Sequence, residues 1–212
     1  MHVPGSLQGQ VSLYSHGLSG RIEAGPSFLD LSRLNASLSS QLYEPLTDDL
    51  FALGFGFHRI QRRTMVGGSL YNYLVSRSTR NNQIAITGYH YFTLRAGWLL
   101  SSSASRWKVY PTVGLGAGLL RFQAKPSSEP VPVSYWTGGP VTEVAFHASR
   151  LSGLSPEQGY FLELGVSAGY LSTFENTWIL RNFGQDESGL PASPRGLFVR
   201  FTLGMGRWQA QP

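Results

Sequence analysis

Three polar residues in the second half of the chain have the types and spacing of an acyl-transfer centre: His147, Ser149 and Glu163. Residues i and i+2 of a strand share a face, so His147 and Ser149 lie side by side if residues 140–150 are extended. Glu163 falls in the matching polar frame of the next extended segment, 159–170. A histidine that takes the serine proton, and an acid that orients the histidine, would make Ser149 a nucleophile. A second constellation is electrostatic. Arg95, Lys108, Glu143, Glu163 and Arg200 all stand within strand-like segments, in the frame that also holds most of the strand glycines. Opposite charges so placed suit an internal network of ion pairs. The simpler reading of both sets is that they fill and stabilise an interior, and it is preferred to catalysis.

Other chemistry is weakly signalled. Gly114-x-Gly116-x-Gly118 and Gly204-x-Gly206 lack the Lys-Ser/Thr ending of a phosphate loop and alternate with apolar residues in strand fashion. The five histidines (His2, His16, His58, His90, His147) show no metal-ligand spacing, and there are no cysteines. No metal and no cofactor are expected. The formal net charge is +5, yet the basic residues, all arginine except Lys108 and Lys125, are scattered rather than clustered, which argues against a nucleic-acid partner. No run of about 18 apolar residues is present for a membrane-crossing helix, a test that β-strands of about 9–11 alternating residues escape.

The elements that must position these residues are strands. At 212 residues, 42% hydrophobic and with 25 glycines, the chain is read as one all-β domain. Residues 159–170 alternate Tyr160, Leu162, Leu164, Val166, Ala168 and Tyr170 with Glu163, Gly165, Ser167 and Gly169. Comparable segments are expected near 20–33, 49–59, 64–76, 86–100, 106–122, 140–150 and 196–208, with no helix between them. Pro26 weakens the first, and Pro111 is an unexplained blemish in the fifth. Connections 60–63, 101–105 and 151–158 are short and 34–48, 123–139 and 174–195 are long, with 77–85 intermediate. Alternating short turns and long loops is the habit of outer-membrane barrels.

Alternation alone does not say which face is wet. A soluble lipocalin-like barrel would turn the apolar frame inward around a ligand. Three features favour the reverse. Glycines share the charged frame, leaving room for large groups inside a narrow eight-stranded barrel. Aromatics (Trp107, Tyr110, Tyr160, Tyr170, Trp208) gather near strand ends like an interfacial girdle. The strand lengths also match an apolar band roughly 25 Å tall. The expected architecture is an eight-stranded, up-and-down, antiparallel transmembrane β-barrel over 20–208, with an N-terminal extension, 1–19, and a C-terminal tail, 209–212. Met1 to Gly5 begins no apolar leader of the kind an exported chain needs, so either this sequence is the mature form behind an added Met1 or the membrane reading fails.

The stretches Gly159-Tyr-Phe-Leu-Glu-Leu-Gly-Val-Ser-Ala-Gly-Tyr170 and Gly196-Leu-Phe-Val-Arg-Phe-Thr-Leu-Gly-Met-Gly206 resemble a poorly characterised family of small Gram-negative outer-membrane barrels. Tyr110-Pro-Thr-Val-Gly-Leu-Gly-Ala-Gly118 is similar to strands of OmpA-type and OmpX-type barrels. The resemblance covers about half the chain and implies a bacterial outer-membrane location among lipid and lipopolysaccharide. One departure is the tail Gln209-Ala-Gln-Pro212 after Trp208, where such chains often end on an aromatic residue. The His147-x-Ser149 pair with a later Glu163 also resembles outer-membrane lipid A deacylases. Arg150-Leu151-Ser152 stands where that family has Asn-Ala-Gly, and the alternating connections place this hairpin on the periplasmic side, away from lipid A. The role expected is therefore structural or interactional, not a wide pore, with an envelope protein as a possible partner of the long loops. Phe174, Trp178 and Phe183 in 174–195 are the contact candidates.

Overall fold

The computed structural model describes residues 14–40, 44–74, 76–80, 83–102, 105–125, 133–155, 159–173, 178–180, 186–187 and 194–210. Its elements in chain order are β1 (Tyr14–Leu29), α1 (Ser32–Ser40), β2 (Asp49–Gln61), β3 (Thr64–Tyr73), β4 (Ser76–Arg80), β5 (Gln83–Trp98), β6 (Trp107–Lys125), β7 (Val133–Ser155), β8 (Tyr160–Thr173), β9 (Trp178–Leu180), β10 (Asp186–Glu187) and β11 (Arg195–Ala210). Antiparallel pairing runs β1-β2-β3-β5-β6-β7-β8-β11 and returns from β11 to β1, so eight strands close an up-and-down barrel with no free edge in its wall. β4 continues the line of β3 along β5. The short β9 pairs with β7, and β10 with β9.

The apolar frame faces out. Leu115, Leu164 and Phe201 are 63%, 53% and 65% exposed, while Arg95 and Glu163 are 3% and 2% exposed. A water-soluble barrel would show the opposite, so the lipocalin-like alternative does not describe this chain. On β11 the outward residues run Leu197, Val199, Phe201, Leu203, Met205 between Arg195 and Arg207. At 3.3 Å per residue and a tilt near 40°, that apolar run climbs roughly 20 Å between its end Cα atoms, close to a bilayer's apolar band. Trp98, Trp107, Tyr160 and Tyr170 stand outward near strand ends. Tyr110 does not join them. It is buried in the lumen, because its register parity is that of Lys108 and Thr112.

Several expectations need revision. β1 begins at Tyr14, ahead of the expected 20, and β11 runs to Ala210. Pro26 does not break β1: it stays in register with Phe51 of β2, and the irregularity falls on the other side, where pairing with β11 skips Gly25 and Pro26. Pro111 is placed just as harmlessly. Val109, on the same side of β6, donates to Ser101 Oγ and accepts from Leu100 N–H, so the donor that Pro111 lacks would point toward β5, where pairing stops at Gly97–Thr112. The connection 34–48 begins with α1, which the sequence reading did not foresee. Much of 77–85 and 123–139 is paired strand, so the wall rises beyond the apolar belt on the long-connection side.

The two ends of the barrel are closed differently. At the long-connection end, Leu31 before α1 and Leu34 within it join Leu46, Tyr73, Tyr89, Phe122 and Phe198 in one apolar cluster. Asn35 clamps the following segment, donating from Nδ2 to Leu46 O (2.9 Å) and accepting from Leu46 N at Oδ1 (2.7 Å). At the short-turn end a smaller cluster of Ile60, Met65, Leu99 and Tyr110 fills the mouth. Both described termini, Tyr14 and Ala210, lie at this end.

Candidate functional site

Between these apolar plugs lies a buried charged layer built from opposite walls. Arg95 on β5 meets Glu143 on β7 at 2.6 Å and Glu23 on β1 at 3.3 Å. Glu143 is shared with Arg200 of β11 at 3.1 Å, and Glu23 with Arg21 of β1 at 2.7 Å. Hydroxyls complete the set. Tyr91 donates to Glu143 (2.8 Å), Arg95 donates to the Tyr71 hydroxyl, Arg200 to that of Tyr91, and Arg21 to that of Tyr110 (3.2 Å). The Arg200 guanidinium also lies 3.6 Å from the Phe198 ring centroid and 3.9 Å from that of Tyr71. Contacts therefore run from β1 through β5 to β7 and β11, across the lumen.

Glycines make room for this layer. Gly114 of β6 is in register with Arg95 on one side and Glu143 on the other, so their ion pair passes over a residue without a side chain. A Cβ there would come within 3.3 Å of Arg95 Cγ and 3.4 Å of Glu143 Cβ. At Gly54 a Cβ would run into the Tyr71 ring, 2.3 Å from Cδ1.

Of the five charged residues expected in the lumen, Arg95 and Arg200 both meet Glu143 directly. Glu163 sits apart, accepting from Ser19 Oγ (3.1 Å) with His58 Nε2 at 3.9 Å. Lys108 is buried near the short-turn end. Arg21 and Glu23 are central members that the sequence reading missed. Their signal was present in the alternation of Leu18, Ile22, Ala24 and Phe28 with Ser19, Arg21, Glu23 and Ser27, but Pro26 obscured it.

His147, Ser149 and Glu163 share the lumen without forming a hydrogen-bonded relay. His147 Nε2 is 3.0 Å from Thr112 Oγ1, its ring is stacked on Tyr110 at 5.0 Å, and Ser149 Oγ has no hydrogen-bond partner among the described residues. Glu163 pairs in register with Leu151, beyond Ser149, and is engaged by Ser19. All three side chains are buried. Phe174 and Phe183 lie outside the described residues, as does the side chain of Trp178, whose backbone belongs to β9.

No protein-family model matches the chain, and no curated protein matches it in sequence. Solved structures with a similar course include Neisserial surface protein A (TM-score 0.45, 9% identity, 91% of this chain and 96% of that one). Another is Ail, the attachment invasion locus protein of Yersinia pestis, determined with the heparin analogue sucrose octasulfate (TM-score 0.47, 13% identity, 92% and 99%). A third is the β domain of the Bordetella autotransporter BrkA (TM-score 0.43, 9% identity, 91% and 99%). The assignment rests instead on strand pairing and on the polarity of the two faces. By those criteria the chain is an eight-stranded, membrane-spanning β-barrel of the outer-membrane type, with a charged and filled lumen.

Proposed function

We propose that the protein is a resident of the bacterial outer membrane whose role is structural or interactional: an anchored, rigid barrel that presents its long-connection end to envelope or external partners. The observation that carries this reading is the Glu23–Arg95–Glu143–Arg200 layer, which ties four strands together across the lumen. A barrel so filled holds its wall rigid and leaves the connections above it to make contacts. Conserving a solute path would require those ion pairs to separate, and each pair broken in a buried setting costs about 3–5 kcal/mol.

Orientation follows from the short turns and both described termini lying together, which makes that end periplasmic. The long-connection end, with α1 and the raised β6–β7 hairpin, then faces outward. Lipid and lipopolysaccharide surround the belt, and a protein partner would meet the connections. Two measurements test the reading. The purified protein should migrate differently on gels before and after boiling, as a folded barrel does. Reconstituted into planar bilayers, it should give no sustained porin-sized conductance. Steady large openings would overturn the filled-barrel role.

A further inference from the structure

The outer face of β1 carries a notch. Of its outward residues, Gly20 and Ala24 are flanked in register by larger ones, Phe57 and Met205 beside Gly20 and Leu53 and Phe201 beside Ala24, while Leu18 and Ile22 stand out on either side of Gly20. The floor is deepest at Gly20, which lies between Phe57 and Met205 and where an added Cβ would meet nothing within 4 Å. Toward the short-turn end, one outward position beyond Gly20, stand two arginines. Leu18 is in register with Arg59 on one side and Arg207 on the other, and both arginines are exposed. With adjacent strands about 4.8 Å apart, their Cα atoms stand roughly 10 Å from each other, within reach of one phosphate from both guanidiniums. Arg207 lies over the Tyr160 ring at 5.6 Å, which holds it at the rim. The described rim adds Arg62, Arg63, Arg106 and Arg150, all exposed, and no carboxylate is exposed among its described residues.

We propose that this is a binding site for one anionic glycerophospholipid of the periplasmic leaflet, its phosphate held between Arg59 and Arg207 and an acyl chain packed into the notch over Gly20. Arginine suits the task, since its planar donors grip a phosphodiester with charge-assisted hydrogen bonds. The acyl chain supplies what the sheet surface lacks at Gly20, apolar atoms to fill the notch. The site rests on the membrane reading and on the orientation given above, and it adds to them a lipid class and a place.

The test uses the folded full chain in nanodiscs of phosphatidylcholine doped with phosphatidylglycerol, extracted gently and weighed by native mass spectrometry. One retained phosphatidylglycerol per barrel is expected, enriched about tenfold over its share of the bilayer, the factor that about 1.4 kcal/mol of charge-assisted contact supplies. The double substitution Arg59→Gln with Arg207→Gln should abolish the enrichment. Gly20→Leu should lower retention while leaving the rim charge intact. Arg62→Gln with Arg63→Gln removes the same charge from the turn and should leave the enrichment in place. Equal loss in that control, no enrichment in the unaltered chain, or displacement of the lipid by millimolar inorganic phosphate would each overturn the site. Failure to insert into the bilayer, read separately from gel migration, would overturn the membrane reading with it.

Discussion

Arg95 and Glu143 come within 2.6 Å of each other although a whole strand lies between them, because the residue of that strand in register with both is Gly114. A side chain at this point would stand between the two charged groups. The glycine thus sets the geometry of the ion pair, and the ion pair in turn links β5 to β7 over the top of β6. Glu143 carries the layer further to Arg200.

Removing the shared carboxylate should therefore be severe. Glu143→Gln leaves Arg95 with Glu23 alone and Arg200 without an ion-pair partner among the described contacts. An expected loss of about 3–5 kcal/mol, the usual result of breaking one side of a buried pair, is measurable by denaturant unfolding of the barrel in micelles. A change within about 0.5 kcal/mol, as on an exposed surface, would show that water reaches this layer.

Filling the space over β6 should act through packing. Gly114→Val adds branched carbon where the first atom alone already lies 3.3 Å from Arg95 Cγ. A destabilisation of about 1–3 kcal/mol is expected from overpacking. Gly20→Ala, on the open outer face, is the comparison and should unfold at nearly the same denaturant concentration as the unaltered chain.

The outward apolar frame makes its own prediction. Leu115→Arg or Phe201→Arg puts a charge in the belt and should cost about 2–4 kcal/mol in a bilayer, with less effect nearer the rims. Refolding yield and unfolding in phospholipid vesicles measure it. If either variant behaved as an ordinary surface substitution, the face would not be touching acyl chains.

Ser149→Ala separates the interior from the catalytic reading. Ser149 Oγ is buried without a hydrogen-bond partner among the described residues, so its loss should leave stability unchanged or raise it by about 1 kcal/mol. Lipid A acyl release, assayed with unaltered chain and variant side by side, should not differ. A variant-sensitive release would restore His147, Ser149 and Glu163 as a working set.

The α1 segment depends on one amide. Asn35→Ala removes both hydrogen bonds to the Leu46 backbone and should cost about 1–3 kcal/mol, because Leu46 N–H and C=O lose their shared partner. Faster backbone hydrogen exchange confined to residues 31–50, with the barrel strands still protected, is the expected signature.

Strand positions and the outward turn of Leu115, Leu164 and Phe201 were legible in the sequence, because period-two alternation is a local property and the glycines marked the crowded face. Arg95, Glu143, Glu163 and Arg200 fall in the polar frame of that alternation, and all four are buried. Who meets whom was not legible. Arg95 chooses Glu23 and Glu143, while Glu163 turns to Ser19, because partners inside a closed barrel are set by strand order and stagger, which bring residues 23, 95, 143 and 200 into one layer. The helix over Ser32–Ser40 was hidden for a related reason: Leu34, with Leu31 just before the helix, is ordered by the barrel mouth it covers, not by a strong pattern of the helix's own. Pro26 and Pro111 were ambiguous until the neighbouring strands showed which side of each ladder lacked a bond. Local alternation could sort side chains between two faces, but only closure of the sheet could decide their company.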